Sequence, residues 1–177
     1  DANMSQFYLI LPLIVIISTV FFPIGMEMAK RVGPRWTVAL GASITIVTTF
    51  LASFATSSVA FFAFYAIGFG IGKGFLYPAP LHAGWSHLEE RKGLVSGIIV
   101  SGLGIGSFTF GLLASMLVNP DNLKVTLVEV VPGVQEAYFA TEVNARVPHV
   151  LRILCLVYSC LIFVGLVCIS EFKPSEE

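Results

Sequence analysis

The stretch VAFFAFYAIGFGIGKGFLYPAPLHAGWS, residues 59–86, decides the fold. It runs for roughly 28 residues with a single charge, Lys73, whereas a helix crosses a bilayer with about 20 mostly apolar residues. Working outward, the same criterion picks out four more segments, 7–29, 36–55, 93–118 and 148–170. None of the five alternates as a barrel strand does, and a closed barrel needs many more strands. Helices are then the spanning solution that satisfies the backbone. The expected fold class is an all-α membrane protein of about five transmembrane helices. An outer N-terminal segment (1–6), an outer loop (119–147) and an inner tail (171–177) complete it.

Composition agrees with membrane as the main solvent. The chain is 56% hydrophobic and 12% charged, with mean hydropathy +0.87, where soluble domains carry roughly a quarter charged residues. Net charge is -1, which argues against a broad electrostatic nucleic-acid surface and leaves lipids as the expected surroundings. Cys155, Cys160 and Cys168 fall in one apolar run without metal or disulfide spacing and read as small fillers. His82, His87 and His149 lack i,i+4 spacing, so no metal site is expected, nor any cofactor. No nucleophile, base and orienting acid converge, so an enzyme is not expected. No basic stretch precedes the first apolar run, and the chain starts at Asp1, which fits a processed chain or a piece of a longer one.

The connections carry most of the charge. Lys30, Arg31, Arg35, Arg91, Lys92 and Lys173 fall on one side, against Lys124, Arg146 and Arg152 on the other. The positive-inside rule therefore puts the N-terminus outside and the C-terminus on the cytoplasm-like side. Trp36 and Trp85 fall at inner helix ends, where interfacial anchoring and core packing are both open readings. Within the outer loop, Asn119-Pro120-Asp121-Asn122 signals a turn and Leu123–Val131 has strand character. A short helix over about Val134–Ala145 is expected after Pro132-Gly133. Asn3-Met4-Ser5 is a glycosylation triplet of little weight.

Small residues recur at four-residue spacing: Gly68 with Gly72, Gly70 with Gly74, Gly93 with Gly97, Gly102 with Gly106. In lipid this spacing lets backbones approach closely, so the third and fourth helices are expected to pack on these glycines. The glycine run superficially resembles a phosphate-binding loop, but the required first Gly falls at Ile67 and the final Ser/Thr at Gly74. Pro78 and Pro80 should interrupt the third helix, and Pro12 and Pro23 the first.

Lys73 lies about 20 Å from either end of its segment at 1.5 Å per residue. An ammonium there costs at least about 2.5–3.5 kcal/mol unless paired or wetted. It marks either an anion path or a structural lysine that is paired elsewhere or snorkels outward. Glu27 is too far in depth to be its partner, by some 15 Å. Tyr77, at i+4, is either a second path residue or a core tyrosine.

Two stretches resemble the major facilitator superfamily, and within it the oxalate/formate antiporter and monocarboxylate transporter group. Lys30-Arg31-Val32-Gly33-Pro34-Arg35 is similar to the loop between that family's second and third helices, with Arg31, Gly33 and Arg35 as the motif positions. Lys30 stands where the family usually has an acid. Gly68–Gly72, Tyr77-Pro78-Ala79-Pro80-Leu81, Trp85, Glu90-Arg91-Lys92-Gly93-Leu94 and Gly102–Gly106 resemble its fourth helix, inner loop and fifth helix, with Arg91 and Gly93 in that loop. The resemblance implies helices two to six of the first six-helix bundle. It also implies a role in moving small organic anions, with Lys73 and Tyr77 lining the path. The partners expected are a small organic anion and either the rest of such a transporter or other membrane subunits. The alternative is a transport-inactive subunit with a structural role in a larger membrane complex.

Overall fold

The computed structural model describes residues 9–124, 126–131, 134–138 and 141–170. Five helical spans, each long and apolar enough to cross a membrane, run back and forth through it. The first is α1 (Ile10–Val32) and the second α2 (Pro34–Ala52). The third is composite: α3 (Ser58–Phe62), a π-helical turn (Ala63–Ile67), α4 (Gly68–Leu76) and α5 (Pro78–His87). A 3-10 turn (Glu89–Arg91) leads into α6 (Lys92–Val118), and α7 (Thr141–Cys168) is the fifth span. The end of the bundle bearing Gly33 and Glu89–Arg91 is called the basic end below, and the opposite end the hairpin end.

The connection between α1 and α2 is one residue. Gly33 has φ 99°, a left-handed value that glycine adopts freely, and its N–H donates to the Ala29 carbonyl at 3.1 Å. Pro34 then opens α2, where its missing N–H costs nothing.

Glycines let α4 wedge between α1 and α2. A Cβ on Gly70 would meet Ile17 and one on Gly74 would meet Phe21, both on α1. A Cβ on Gly72 or Gly68 would run into Thr45 or Thr48 of α2. The contact is reciprocal: Gly25 faces the Gly74 carbonyl, and a Cβ on Gly41 would lie 2.9 Å from the Gly72 carbonyl. Pro78 is why the Gly74 carbonyl is free, since it supplies no N–H four residues on. Together Pro78 and Pro80 end α4 at Leu76 and leave Tyr77 between two helices. At the basic end Ala29, Val38 and Ala79 close a small core, with Leu76 and Leu166 against it.

Hydroxyls inside the spans are mostly satisfied locally. Thr37, Ser43, Thr45 and Thr48 each donate to the carbonyl four residues back, at 2.8–2.9 Å. Such bonds make polar residues tolerable where water is absent.

Two arginines tie α2 to α7 at both ends. At the basic end Arg35 Nη2 donates to the Ile169 carbonyl at 3.0 Å. At the hairpin end Arg152 Nε donates to Ser53 Oγ at 3.2 Å, and its guanidinium lies 4.4 Å from the Phe54 ring centroid. The latter geometry suits a cation–π contact. Trp85 Nε1 donates to the Lys92 carbonyl and to Ser96 Oγ, at 3.2 and 3.0 Å, so this indole fastens α5 to α6. Trp36 is 67% exposed.

The loop expectation needs correction. Val134–Tyr138 is a strand, β2, paired antiparallel with β1 (Thr126–Val131), so the expected short helix over Val134–Ala145 does not form. The runs on either side of 132–133 are both rich in β-branched and aromatic residues, which suits pairing as strands. The last helix starts at Thr141 rather than Pro148, because Pro148 is accommodated inside it. The turn signal fares better: Asn119 Oδ1 accepts from Leu123 N at 2.8 Å and its Nδ2 donates to the Leu123 carbonyl at 3.0 Å. Asp121 and Arg146 then form an ion pair at 3.1 Å across the base of the hairpin.

The fourth span also differs from expectation. A Cβ on Gly93, Gly97, Gly102 or Gly106 would meet nothing within 4 Å, so α6 does not pack on these glycines within the described chain. It leans on its neighbours through Val95, which approaches Gly84, and Phe110, whose ring meets Tyr158 edge-on at 5.0 Å. Four-residue spacing states that close approach is allowed, not that a partner is present.

Gly72→Leu should therefore lower stability by about 1–3 kcal/mol through overpacking against α2. Gly165→Leu, at an open position on α7, should change it by less than about 0.5 kcal/mol. Thermal unfolding in detergent measures both, and equal effects would contradict the wedge.

Candidate functional site

One edge of the third span carries Phe61, Tyr65, Phe69, Lys73 and Tyr77, four residues apart and all half-buried. The rings of Phe61 and Tyr65 stack at 5.3 Å and 11°, and those of Tyr65 and Phe69 at 5.7 Å and 28°. Tyr77 stacks on Phe22 of α1 at 5.2 Å and 24°. The row covers roughly 24 Å of helix, most of a bilayer core. Lys73 is its one charge.

The row exists because the glycines take the other faces of α4. Gly70 and Gly74 turn to α1 and Gly68 and Gly72 to α2, which leaves the edge bearing Lys73 unclaimed by either. The π-helical turn at Ala63–Ile67 lies on one side of α4 and the proline break at Tyr77 on the other. Such irregular turns cluster at functional positions in helices.

Among the described residues the Lys73 ammonium has no hydrogen bond or ion pair. Glu27 is held by Arg31 at 2.6 Å in an i,i+4 pair at the basic end. Lys73 stands four residues after Phe69 and three before Leu76, and both of these line a cavity of about 200 Å³ between α2, α4 and α7. Thr45, Thr49, Cys155 and Tyr158 line it too. Thr49 Oγ1 is buried and has no hydrogen-bond partner among the described residues. Its usual acceptor, the Thr45 carbonyl, takes a bond from Thr48 Oγ1 at 3.3 Å. The cavity is therefore apolar with one unsatisfied hydroxyl, and Lys73 itself is not among the residues that line it.

Such an arrangement can recognise an anion at mid-depth. Ammonium and phenol one turn apart can donate together to a carboxylate, and the low dielectric strengthens both bonds. Among the described residues no group of three or more His, Cys, Asp or Glu could hold a metal ion.

The loop motif residues are structural in their contacts. Arg31 pairs with Glu27, Gly33 makes the turn and Arg35 caps α7. Arg91 and Gly93 are exposed where the 3-10 turn enters α6. Sequence reasoning overlooked Tyr65 and its aromatic neighbours, although the spacing 61, 65, 69, 73, 77 was readable. It had no signal for Thr49, one of several threonines in α2, whose orphan state depends on where neighbouring hydroxyls bond.

The Major Facilitator Superfamily profile matches residues 1–128. An apicoplast pyruvate carrier of Toxoplasma gondii is 30% identical over 154 residues, which are 83% of this chain and 28% of that protein. Monocarboxylate transporter 13 of Rattus norvegicus is 31% identical over 97 residues, 55% of this chain and 23% of the carrier. Monocarboxylate transporter 12-B of Danio rerio is 31% identical over 96 residues, 54% and 20% respectively. The chain thus spans less than a third of the length of these relatives. Its five apolar spans, its glycine-wedged third span and the profile match over most of its length make it an integral, multi-pass membrane protein that belongs to the major facilitator superfamily.

Proposed function

We propose that this chain is part of a secondary transporter for small organic anions of the monocarboxylate or oxalate/formate type, and not an enzyme. Lys73 and Tyr77 bind the anion. The observation that carries this reading is the Lys73 ammonium in the middle of the third span, which has no hydrogen bond or ion pair among the described residues. A cation at mid-depth without a partner is costly, and a carboxylate passing through would supply the missing charge. The pyruvate and monocarboxylate names of the relatives favour the same substrate class.

Transport by this fold needs two halves with substrate held between them. The rest of such a protein has places to dock on this chain. One is the exposed face of α6, where helical geometry aligns Gly93, Gly97, Gly104 and Gly111. Another is the cavity where Thr49 awaits a hydrogen bond. The same open α6 face is what favours the second reading, a transport-inactive subunit docked in a larger membrane complex.

Uptake by the full-length protein in liposomes separates the two. Lys73→Ala should lower anion uptake by about 10- to 100-fold, the worth of a hydrogen bond to a charged group, and Lys73→Arg should recover part of it. Unaltered uptake in Lys73→Ala would remove Lys73 from the path, and no uptake by the parent protein would leave the subunit role.

The proposed orientation puts the basic end on the cytoplasm-like side, with the N-terminus outside and the C-terminus inside. In a cysteine-free background, Lys124→Cys should react with an impermeant maleimide in intact cells, and Lys92→Cys after permeabilisation alone. The reverse pattern would invert the topology.

A further inference from the structure

Charge at the basic end is unevenly neutralised. Arg31 is spent on Glu27 at 2.6 Å. Arg91 and Lys92 share their connection with Glu89 and Glu90. Lys30 and Arg35, on either side of the one-residue turn at Gly33, have no ion pair of their own among the described residues. Glu27 is within electrostatic reach of Lys30, but its carboxylate is already bonded to Arg31. Arg35 is not a free-swinging cation: its bond to the Ile169 carbonyl holds the guanidinium at the bundle end, with its other N–H groups exposed.

Trp36 follows directly. Its ring is 67% exposed, and its indole N–H has no partner among the described residues. Below it on the same helix face come Leu40, 40% exposed, Ser43, and Val47, 54% exposed. Positions 36, 40, 43 and 47 form one stripe of a 3.6-residue helix. Two cations and an indole at the rim thus stand over a mainly apolar stripe running into the membrane.

We propose that this corner is a binding site for an anionic phospholipid. Lys30 and Arg35 contact the phosphodiester, the Trp36 indole sits at headgroup level, and one acyl chain lies along Leu40 and Val47. The rim alone would suit any phosphate, but the continuous stripe beneath it selects one that carries a hydrocarbon chain. Charge and indole chemistry fit that boundary, where each cation strengthens anionic-lipid binding about fivefold.

Native mass spectrometry of the full-length protein, titrated with dioleoyl-phosphatidylglycerol or dioleoyl-phosphatidylcholine, tests the site. The first phosphatidylglycerol should bind at least about tenfold more tightly than phosphatidylcholine. Lys30→Gln should cut that preference about fivefold, and Lys30→Gln with Arg35→Gln should abolish it. Because Arg35 also caps α7, the Lys30→Gln variant, which breaks no described contact, decides if the double variant is unstable. Glycerol phosphate should bind no more than weakly. Equal affinity for the two lipids, a preference untouched by Lys30→Gln, or glycerol phosphate binding as tightly as the lipid would each overturn the proposal.

Discussion

Backbone contact between α4 and its two neighbours is the constraint on which the rest of this bundle depends. In lipid, apolar side chains gain little by leaving hydrocarbon for protein, so helices hold together through close van der Waals contact. Four glycines at alternate positions of α4 make that contact on two sides at once, and Gly25 and Gly41 answer them from α1 and α2. A side chain at any of the four would push backbones apart. Because two faces of a short helix are consumed in this way, the remaining edge is the place where a large polar residue fits, and Lys73 is there.

The same region concentrates departures from regular helix. The π-helical turn precedes α4, and Pro78 and Pro80 break the span after it. Each leaves backbone groups without their ordinary partners, which a membrane tolerates where neighbouring helices cover them. Gly74 shows how: its carbonyl, freed by Pro78, is covered by Gly25. Elsewhere the structure satisfies its polar groups conventionally, with threonines bonded to their own helix and arginines clamping α2 to α7 at both ends. Against that background the Lys73 ammonium and the Thr49 hydroxyl, neither of which has a partner among the described residues, stand out.

Thr49 lines the cavity between α2, α4 and α7, and nearly all of α6 is uncovered by the described residues. The chain belongs to a family whose relatives named above are more than twice as long, and these uncovered surfaces have a physical meaning in that light. The glycine line of α6 and the Thr49 hydroxyl of α2 have the features of helix contacts, while other faces of α6 expose bulky apolar side chains such as Ile105 and Phe108.

The sequence by itself determined that there are five spans and that Pro78 and Pro80 break the third, and it singled out Lys73 as a charge inside that span. These are local properties: apolar length, a missing N–H and a buried charge do not depend on neighbours. It misjudged the segment after Pro132-Gly133, because a run such as Val134–Tyr138 becomes strand when another strand is beside it and helix when none is. The tertiary structure alone decided which glycines touch a neighbour. Gly68–Gly74 and Gly93–Gly106 carry the same spacing, yet one set is wedged between helices and the other is open. Contact is a property of two surfaces, and a one-dimensional pattern describes one of them.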